Sequence, residues 1–81
     1  MSTDVRKLVG RNVARLRKAK EPKVSQAALA VKMGVDRAYI SGLERGERNA
    51  TIVSLWHLSQ ALGVKMGALF EEEKRRPATS K

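Results

Sequence analysis

The chain has 81 residues and a formal charge of +9, of which residues 1–37 carry +7. Its length allows one small domain, its lack of cysteine excludes disulfides and thiolate ligands, and no apolar run reaches the roughly 18 residues of a membrane span. These properties favour a cytoplasmic protein with one strongly positive face, as polyanion binders have.

The first predicted helix covers residues 5–19. Its apolar residues have the spacing of one buried stripe, namely Val5, Leu8, Val9, Val13 and Leu16. Thr3 or Asp4 could cap its start, and Gly10 is expected to face away from the stripe. The opposite face is basic, which favours simple solvation but also suits contacts with phosphate groups.

Residues 25–49 predict two short helices joined by a tight turn. Ser25 is a good N-cap for a helix with Ala27, Ala30 and Val31 on its apolar side and Leu29 and Met33 close by. Gly34 is expected to end this helix, and Asp36 to cap the next. That next helix places Ile40 and Leu43 inward and presents Arg37, Tyr39 and Ser41 to solvent. Two helices around a glycine-containing turn indicate a helix-turn-helix, whose second helix can enter the major groove of DNA.

The last predicted elements follow a turn with Gly46. Thr51 is expected to cap a fourth helix that buries Ile52, Leu55, Trp56, Leu58 and Leu62 and ends at Gly63. Met66 to Phe70 predict a short fifth helix or turn that closes the bundle. The predicted fold is therefore all-α, a compact five-helix bundle in residues 1–73 with the helix-turn-helix at 25–45, followed by a disordered basic tail at 74–81.

Several motifs resemble one known family. LRKAK at 16–20, SQAALAVKMGV at 25–35, YISGLERGERN at 39–49 and ALGVKMGALF at 61–70 are similar to the Cro/C1-type (XRE-like) helix-turn-helix domain of phage repressors and bacterial regulators. DRAYISGLERGERNAT at 36–51 most resembles the controller proteins of restriction–modification systems, which are small homodimers that bind symmetric operators. The chain departs from the family pattern at EPKV, which lengthens the first loop, and at Asn49-Ala50, where Asn-Pro is common.

The resemblance and the chemistry of the residues together predict contacts with DNA bases. Arg37 is the best candidate, since a guanidinium can pair bidentately with guanine O6 and N7. Ala38 could pack on a thymine methyl or simply allow close approach. Tyr39 could contact a base edge or a flexible pyrimidine–purine step, or instead pack against the second helix.

The same resemblance implies contacts with the DNA backbone. The expected set is Gln26, Ser41, Gly42, Arg45, Arg48 and Asn49. Gln26 would touch a phosphate and support the recognition helix. Gly42 would permit close approach of DNA, although tight packing against another helix explains it equally well. Arg45 could instead complement the C-terminal end of its own helix.

Two further groups of residues have expected roles away from the bases. Family relatives form a partly buried ion pair at the positions of Arg17 and Glu44, and we expect this pair to be structural. Controller proteins dimerise through their last two helices, which makes the interface candidates Trp56, Met66, Leu69 and Phe70. Trp56 is a core candidate first, and the other three could also complete the core of one protomer.

The favoured function is a homodimeric, sequence-specific transcriptional regulator that binds a palindromic operator in double-stranded DNA. The alternative is an antitoxin-like regulator whose main role is to bind a partner protein. An enzyme is not expected, because the chain has no nucleophile–base pair, phosphate-binding glycine loop or metal cluster. No cofactor, metal, membrane or small-molecule substrate is expected, and RNA polymerase would be a partner only of an activator.

Overall fold

The computed structural model describes residues 4–72, and every regular element in that range is helical. The elements are α1 (Val5–Lys18), α2 (Gln26–Met33), α3 (Arg37–Glu44), α4 (Ile52–Leu62) and a 3₁₀ helix (Met66–Phe70). The prediction of an all-α fold is confirmed for these residues, but the fifth element is not an α-helix. This element has the i→i+3 hydrogen bond of a 3₁₀ helix, which the Ala68 N–H donates to the Lys65 carbonyl at 2.9 Å. The predicted tail at 74–81 lies outside the described residues.

The helix ends follow the sequence closely. The predicted N-cap residues occupy their expected positions, namely Asp4, Ser25, Asp36 and Thr51. The hydroxyls of Ser25 and Thr51 each accept a hydrogen bond of 3.0 Å from the backbone N–H three residues later, whereas Asp36 makes no such bond. Gly34 and Gly63 end α2 and α4 in the left-handed conformation. These signals are local, which explains why the sequence reveals them.

One apolar core holds the helices together, and all five elements contribute to it. Its buried members are Val9, Val13, Leu29, Ala30, Ile40, Leu43, Leu58, Leu62 and Leu69. The predicted inward positions of α3, Ile40 and Leu43, are both almost completely buried. Partly buried side chains, among them Leu16 of α1 and Leu55 of α4, pack against this cluster.

Some residues assigned to the core from the sequence are instead exposed, namely Val5, Ala27, Val31, Ile52 and Trp56. On α2, Leu29 and Ala30 point inward, so Val31, about 100° further around the helix, points outward and is 79% exposed. On α4 the buried stripe passes through Leu58 and Leu62. Trp56 precedes Leu58 by two residues, about 200° around the helix, so it lies on the opposite side of α4 and is 50% exposed. The prediction that Trp56 is a core residue is therefore wrong.

The expectation that Gly10 faces away from the core is also wrong. Gly10 is buried where α1 crosses the C-terminal end of α3. A Cβ atom at this position would lie 2.3 Å from the carbonyl oxygen of Leu43 and 2.9 Å from that of Glu44. The missing side chain therefore allows the backbones of α1 and α3 to touch, and this contact sets the position of α3.

A buried asparagine, for which the sequence predicted no role, fastens the 3₁₀ helix to α1. The side-chain amide of Asn12 donates hydrogen bonds of 2.9 Å to the carbonyls of Leu69 and Glu71. Its oxygen accepts a bond from Arg15, which also pairs with the Glu71 carboxylate at 3.4 Å. The available signal was its place within the apolar stripe of α1, since it precedes Val13 by one residue and follows Val9 by three.

Two lysine side chains from other parts of the chain cap the C-terminal end of α4. Lys20 donates to the carbonyl of Leu62 at 3.0 Å, and Lys32 donates to that of Ala61 at 3.2 Å. Both carbonyls belong to the last turn of the helix, where they lack intrahelical partners and where positive charge is favourable. These bonds tie α4 to α2 and to the segment that follows α1.

Candidate nucleic-acid interface

The α2–turn–α3 unit has the predicted helix-turn-helix geometry. Gly34, with φ of 71°, turns the chain, and the Val35 N–H then bonds back to the carbonyl of Ala30 at 3.0 Å. Asp36 follows at once and α3 begins at Arg37. Because the turn is short and Ile40 is fully buried, α3 packs closely on α2 and turns its first residues outward.

The first turn of α3 contains the three residues predicted to read bases. Arg37 and Ala38 are both exposed. Tyr39 is partly buried and packs against the core. Its ring also meets Arg48 from the following turn, whose guanidinium carbon lies 5.3 Å from the ring centroid, a cation–π contact. Two of the three side chains predicted to read bases are therefore exposed.

Gln26 bridges the start of α3 to its end. Its amide oxygen accepts a hydrogen bond of 3.2 Å from the Arg37 guanidinium. Its amide nitrogen donates one of 2.8 Å to the Glu44 carboxylate. Gln26 thus connects the first and last residues of α3, and one of its partners is Arg37, the arginine predicted to read a base.

Glu44 also forms the ion pair expected with Arg17. The two groups make a bidentate pair with distances of 2.7 and 2.8 Å, and their side chains are only 8% and 11% exposed. Burial alone would raise the pKa of Glu44, but hydrogen bonds from Arg17 and Gln26 hold that pKa below its ordinary value. The hydrogen bond to Glu44 likewise raises the pKa of Arg17, so both partners stay charged.

The end of α3 and the turn after it contain the other backbone-contact candidates. Arg45 donates to the hydroxyl of Ser41 and pairs with Glu47 at 3.1 Å, and this exposed bond raises the pKa of Arg45. Arg48 lies across Gly42, with its Nε 3.1 Å from the place a Cβ would occupy. The glycine therefore makes room for an arginine of the following turn, a role that the sequence did not suggest. Asn49 is exposed.

Comparison with known proteins decides the family. The family described as "Helix-turn-helix" matches residues 13–69, more than half of the chain. The chain belongs to this family. It is a helix-turn-helix transcription regulator and is homologous to controller proteins of restriction–modification systems, as the sequence motifs predicted.

Two curated relatives illustrate the range of similarity. An uncharacterised HTH-type transcriptional regulator, y4dJ, of Sinorhizobium fredii is 49% identical over 61 residues, which cover 75% of this chain and 77% of that protein. The control protein C.MunI of a Mycoplasma species is 35% identical over 69 residues, which cover 85% of this chain and 92% of the relative.

Solved structures of controller proteins share the fold of this regulator. C.AhdI from Aeromonas hydrophila has a TM-score of 0.74 at 37% identity, covering 80% of this chain and 96% of that one. The C.Esp1396I tetramer in complex with its natural 35-base-pair operator has a TM-score of 0.71 at 35% identity, covering 85% and 88%.

The regulator presents an apolar surface on α4. We call this the α4 face and define it by Ile52, Val53 and Trp56, which are 71%, 60% and 50% exposed. Of the interface candidates from the 3₁₀ helix, Phe70 is 40% exposed, whereas Leu69 is completely buried and completes the core of the protomer. Leu69 thus has no surface to offer a second copy. Among the described residues, no helix is long and apolar enough to span a membrane.

Proposed function

We propose that this regulator is a homodimer that binds a two-fold symmetric operator through α3, without enzymatic activity, in the cytoplasm where bacterial DNA lies. The observation that carries the proposal is the first turn of α3. Arg37 and Ala38 are exposed there, and the Arg37 guanidinium donates a hydrogen bond of 3.2 Å to the Gln26 amide oxygen. A dimer would place two such helices on successive major grooves, about 34 Å apart.

Charge supports binding to DNA, and a relative supports the oligomer. The chain has nine more basic than acidic groups. Basic side chains favour binding to DNA because they contact its phosphates and release the counterions bound there. The relative C.Esp1396I was crystallised as a tetramer with a 35-base-pair operator. In the proposed complex, Gln26, Ser41, Arg45, Arg48 and Asn49 lie along the backbone. RNA polymerase would be a further partner if the regulator also activates transcription.

Arg37→Ala is expected to reduce the preference for one base pair in each half-site. A bidentate arginine–guanine pair is worth about 1–3 kcal/mol of discrimination against the wrong base. Selection of bound sequences from a random DNA pool, followed by measurement of the Kd for single-base variants, tests this. Arg45→Ala is the matched control. Loss of a phosphate contact weakens binding to all DNA sequences alike and reduces the slope of log K against log salt concentration by about one. Recovery of no motif by the wild-type protein would contradict the proposed function.

Trp56→Glu is expected to weaken the proposed dimer by about tenfold or more, because a half-exposed tryptophan is a typical interface anchor. Val31→Glu is the matched control, since Val31 is also an exposed apolar residue, at 79%, but lies on α2 outside the α4 face. Sedimentation equilibrium at micromolar concentrations measures both variants. If the two substitutions have equal effects on association, the α4 face is not the interface.

A further inference from the structure

A continuous chain of polar contacts links α1 to the first turn of α3. Arg17 on α1 pairs with Glu44 at the end of α3, with contacts of 2.7 and 2.8 Å. Glu44 accepts a 2.8 Å bond from the Gln26 amide, and that amide accepts a 3.2 Å bond from Arg37. We call these four residues the relay. It starts in a nearly buried ion pair and ends at an exposed guanidinium.

The chemistry of the relay fixes the orientation of its middle member. An ionised carboxylate only accepts hydrogen bonds, so the Gln26 amide must turn its NH₂ group toward Glu44. Its oxygen then faces the other way, toward Arg37, and becomes an acceptor for the guanidinium. Arg17 keeps Glu44 in place and charged. The direction in which Gln26 presents its oxygen is thus determined by a buried charge.

The relay leaves Arg37 free to bind a base. A guanidinium has five N–H donors, and the bond to Gln26 uses one of them. The remaining donors include an edge that can make two parallel bonds to guanine. An arginine side chain that moves freely loses rotamer freedom when it binds a base. One that is already hydrogen-bonded to Gln26 loses less of this freedom. The hydrogen bond to Gln26 therefore restricts the Arg37 side chain without using the N–H donors that would bind guanine.

We propose that Glu44 is a positioning residue for base recognition: it orients the Gln26 amide, which in turn holds the Arg37 guanidinium in its base-reading direction. The inference rests on the proposed function, in which Arg37 reads a base. It gives a second role to an ion pair whose expected role was structural. It also separates two roles of Gln26, because a phosphate contact by this residue would act on all DNA sequences alike.

The experiment breaks the relay at two points and compares base pairs. Gln26→Leu removes the middle link and leaves the ion pair. The double variant Arg17→Met/Glu44→Leu replaces both charges with apolar groups, a change that proteins often tolerate when both partners are replaced. For each, the Kd is measured for the operator, for the operator changed at the Arg37 base pair, for the operator changed at a distant base pair, and for unrelated DNA. Circular dichroism and thermal unfolding verify the fold.

The expected result is selective. Both variants should lose discrimination at the Arg37 base pair by about tenfold, within the range for one bidentate contact, and keep it at the distant base pair. Gln26→Leu added to Arg37→Ala should cause no further loss at that base pair, since the link then has nothing to hold. If the double variant does not fold, Glu44→Gln takes its place, because a neutral amide no longer determines which way the Gln26 amide turns. The cycle of Gln26→Leu with Arg37→Ala tests the remaining contact of the relay.

Two results would overturn the inference. One is an equal loss of affinity of Gln26→Leu for all DNA sequences with a lower salt dependence, which would leave Gln26 as a phosphate contact only. The other is unchanged discrimination in a folded double variant. Failure of the proposed function looks different, because the wild-type protein itself would then show no preference at any base pair, or Arg37→Ala would change none.

Discussion

Gly10→Ala is expected to destabilise the protein by about 2 kcal/mol, although alanine is the better helix former. In a helix interior, alanine gains about 1 kcal/mol over glycine. The new methyl group would, however, lie 2.3 Å from the carbonyl oxygen of Leu43. Overpacking of a tight site costs about 1–3 kcal/mol, occasionally more, and here the obstacle is backbone, which cannot rotate away. The steric cost therefore exceeds the gain in helix propensity.

Gly67→Ala is the matched control for this prediction. A Cβ at Gly67 would meet nothing within 4 Å, and the residue does not have a positive φ. Its substitution should be neutral or slightly stabilising, since alanine reduces the freedom of the unfolded chain. Urea unfolding of the two variants, followed by circular dichroism, gives the comparison. Equal stability of the two variants would mean that α1 and α3 separate easily at Gly10.

Relief of the clash at Gly10 would also move the candidate interface. The two carbonyls that the methyl group meets belong to the last residues of α3, and one of them is Glu44, a member of the relay. A shift of α3 away from α1 would lengthen the contact with Arg17. The position of α3 therefore depends on the close approach of α1 at Gly10.

The sequence predicted those parts of the fold that depend on local signals. Ser25, Thr51, Gly34 and Gly63 mark helix ends because each satisfies backbone groups within a few residues. The inward side of α3 was also predictable, because only Ile40 and Leu43 are large and apolar there. Family motifs then supplied the pairing of two distant residues, Arg17 and Glu44, which periodicity alone does not indicate.

The remaining features depend on neighbours that no local pattern identifies. α2 and α4 carry apolar residues on several sides, so Val31 and Trp56 fit a core face as well as Leu29 and Leu58 do. Only the packing of the other helices decides which side is covered. The closeness of Gly10 to α3 is likewise a tertiary fact. The same holds for the candidate site, where the sequence named Gln26 and Arg37 separately and the fold brings them together.

Glu44→Ala is expected to cost about 3–5 kcal/mol of stability, because it leaves the Arg17 charge buried without its partner. Gln26 would lose its acceptor at the same time. Glu47→Ala provides the matched control, since Glu47 also pairs with an arginine, at 3.1 Å, but both side chains are more than half exposed. Exposed pairs contribute about 0–1 kcal/mol, so this substitution should barely change the urea midpoint.

The pH dependence of stability offers an independent test of the same pair. The pKa of Glu44 is lower in the folded protein than its ordinary value of 4.5, so the folded state binds its proton less readily than the unfolded state. The stabilisation is therefore complete above that ordinary value and is lost as the pH falls through the lower, folded one. Asp4 and Glu47 are shifted in the same direction, but both are exposed.

Comparison with a variant that lacks the pair isolates its contribution. Between about pH 7 and pH 3, the wild-type protein should lose more stability than Arg17→Met/Glu44→Leu. The double variant keeps Asp4 and Glu47, the other two carboxyl groups whose pKa is lowered. Urea unfolding at each pH measures the difference. Parallel pH profiles would show that Glu44 is not held in its charged form by Arg17 and Gln26. A steeper acid limb in the wild type would link the stability of α3 to the same hydrogen bonds that orient Gln26 toward Arg37.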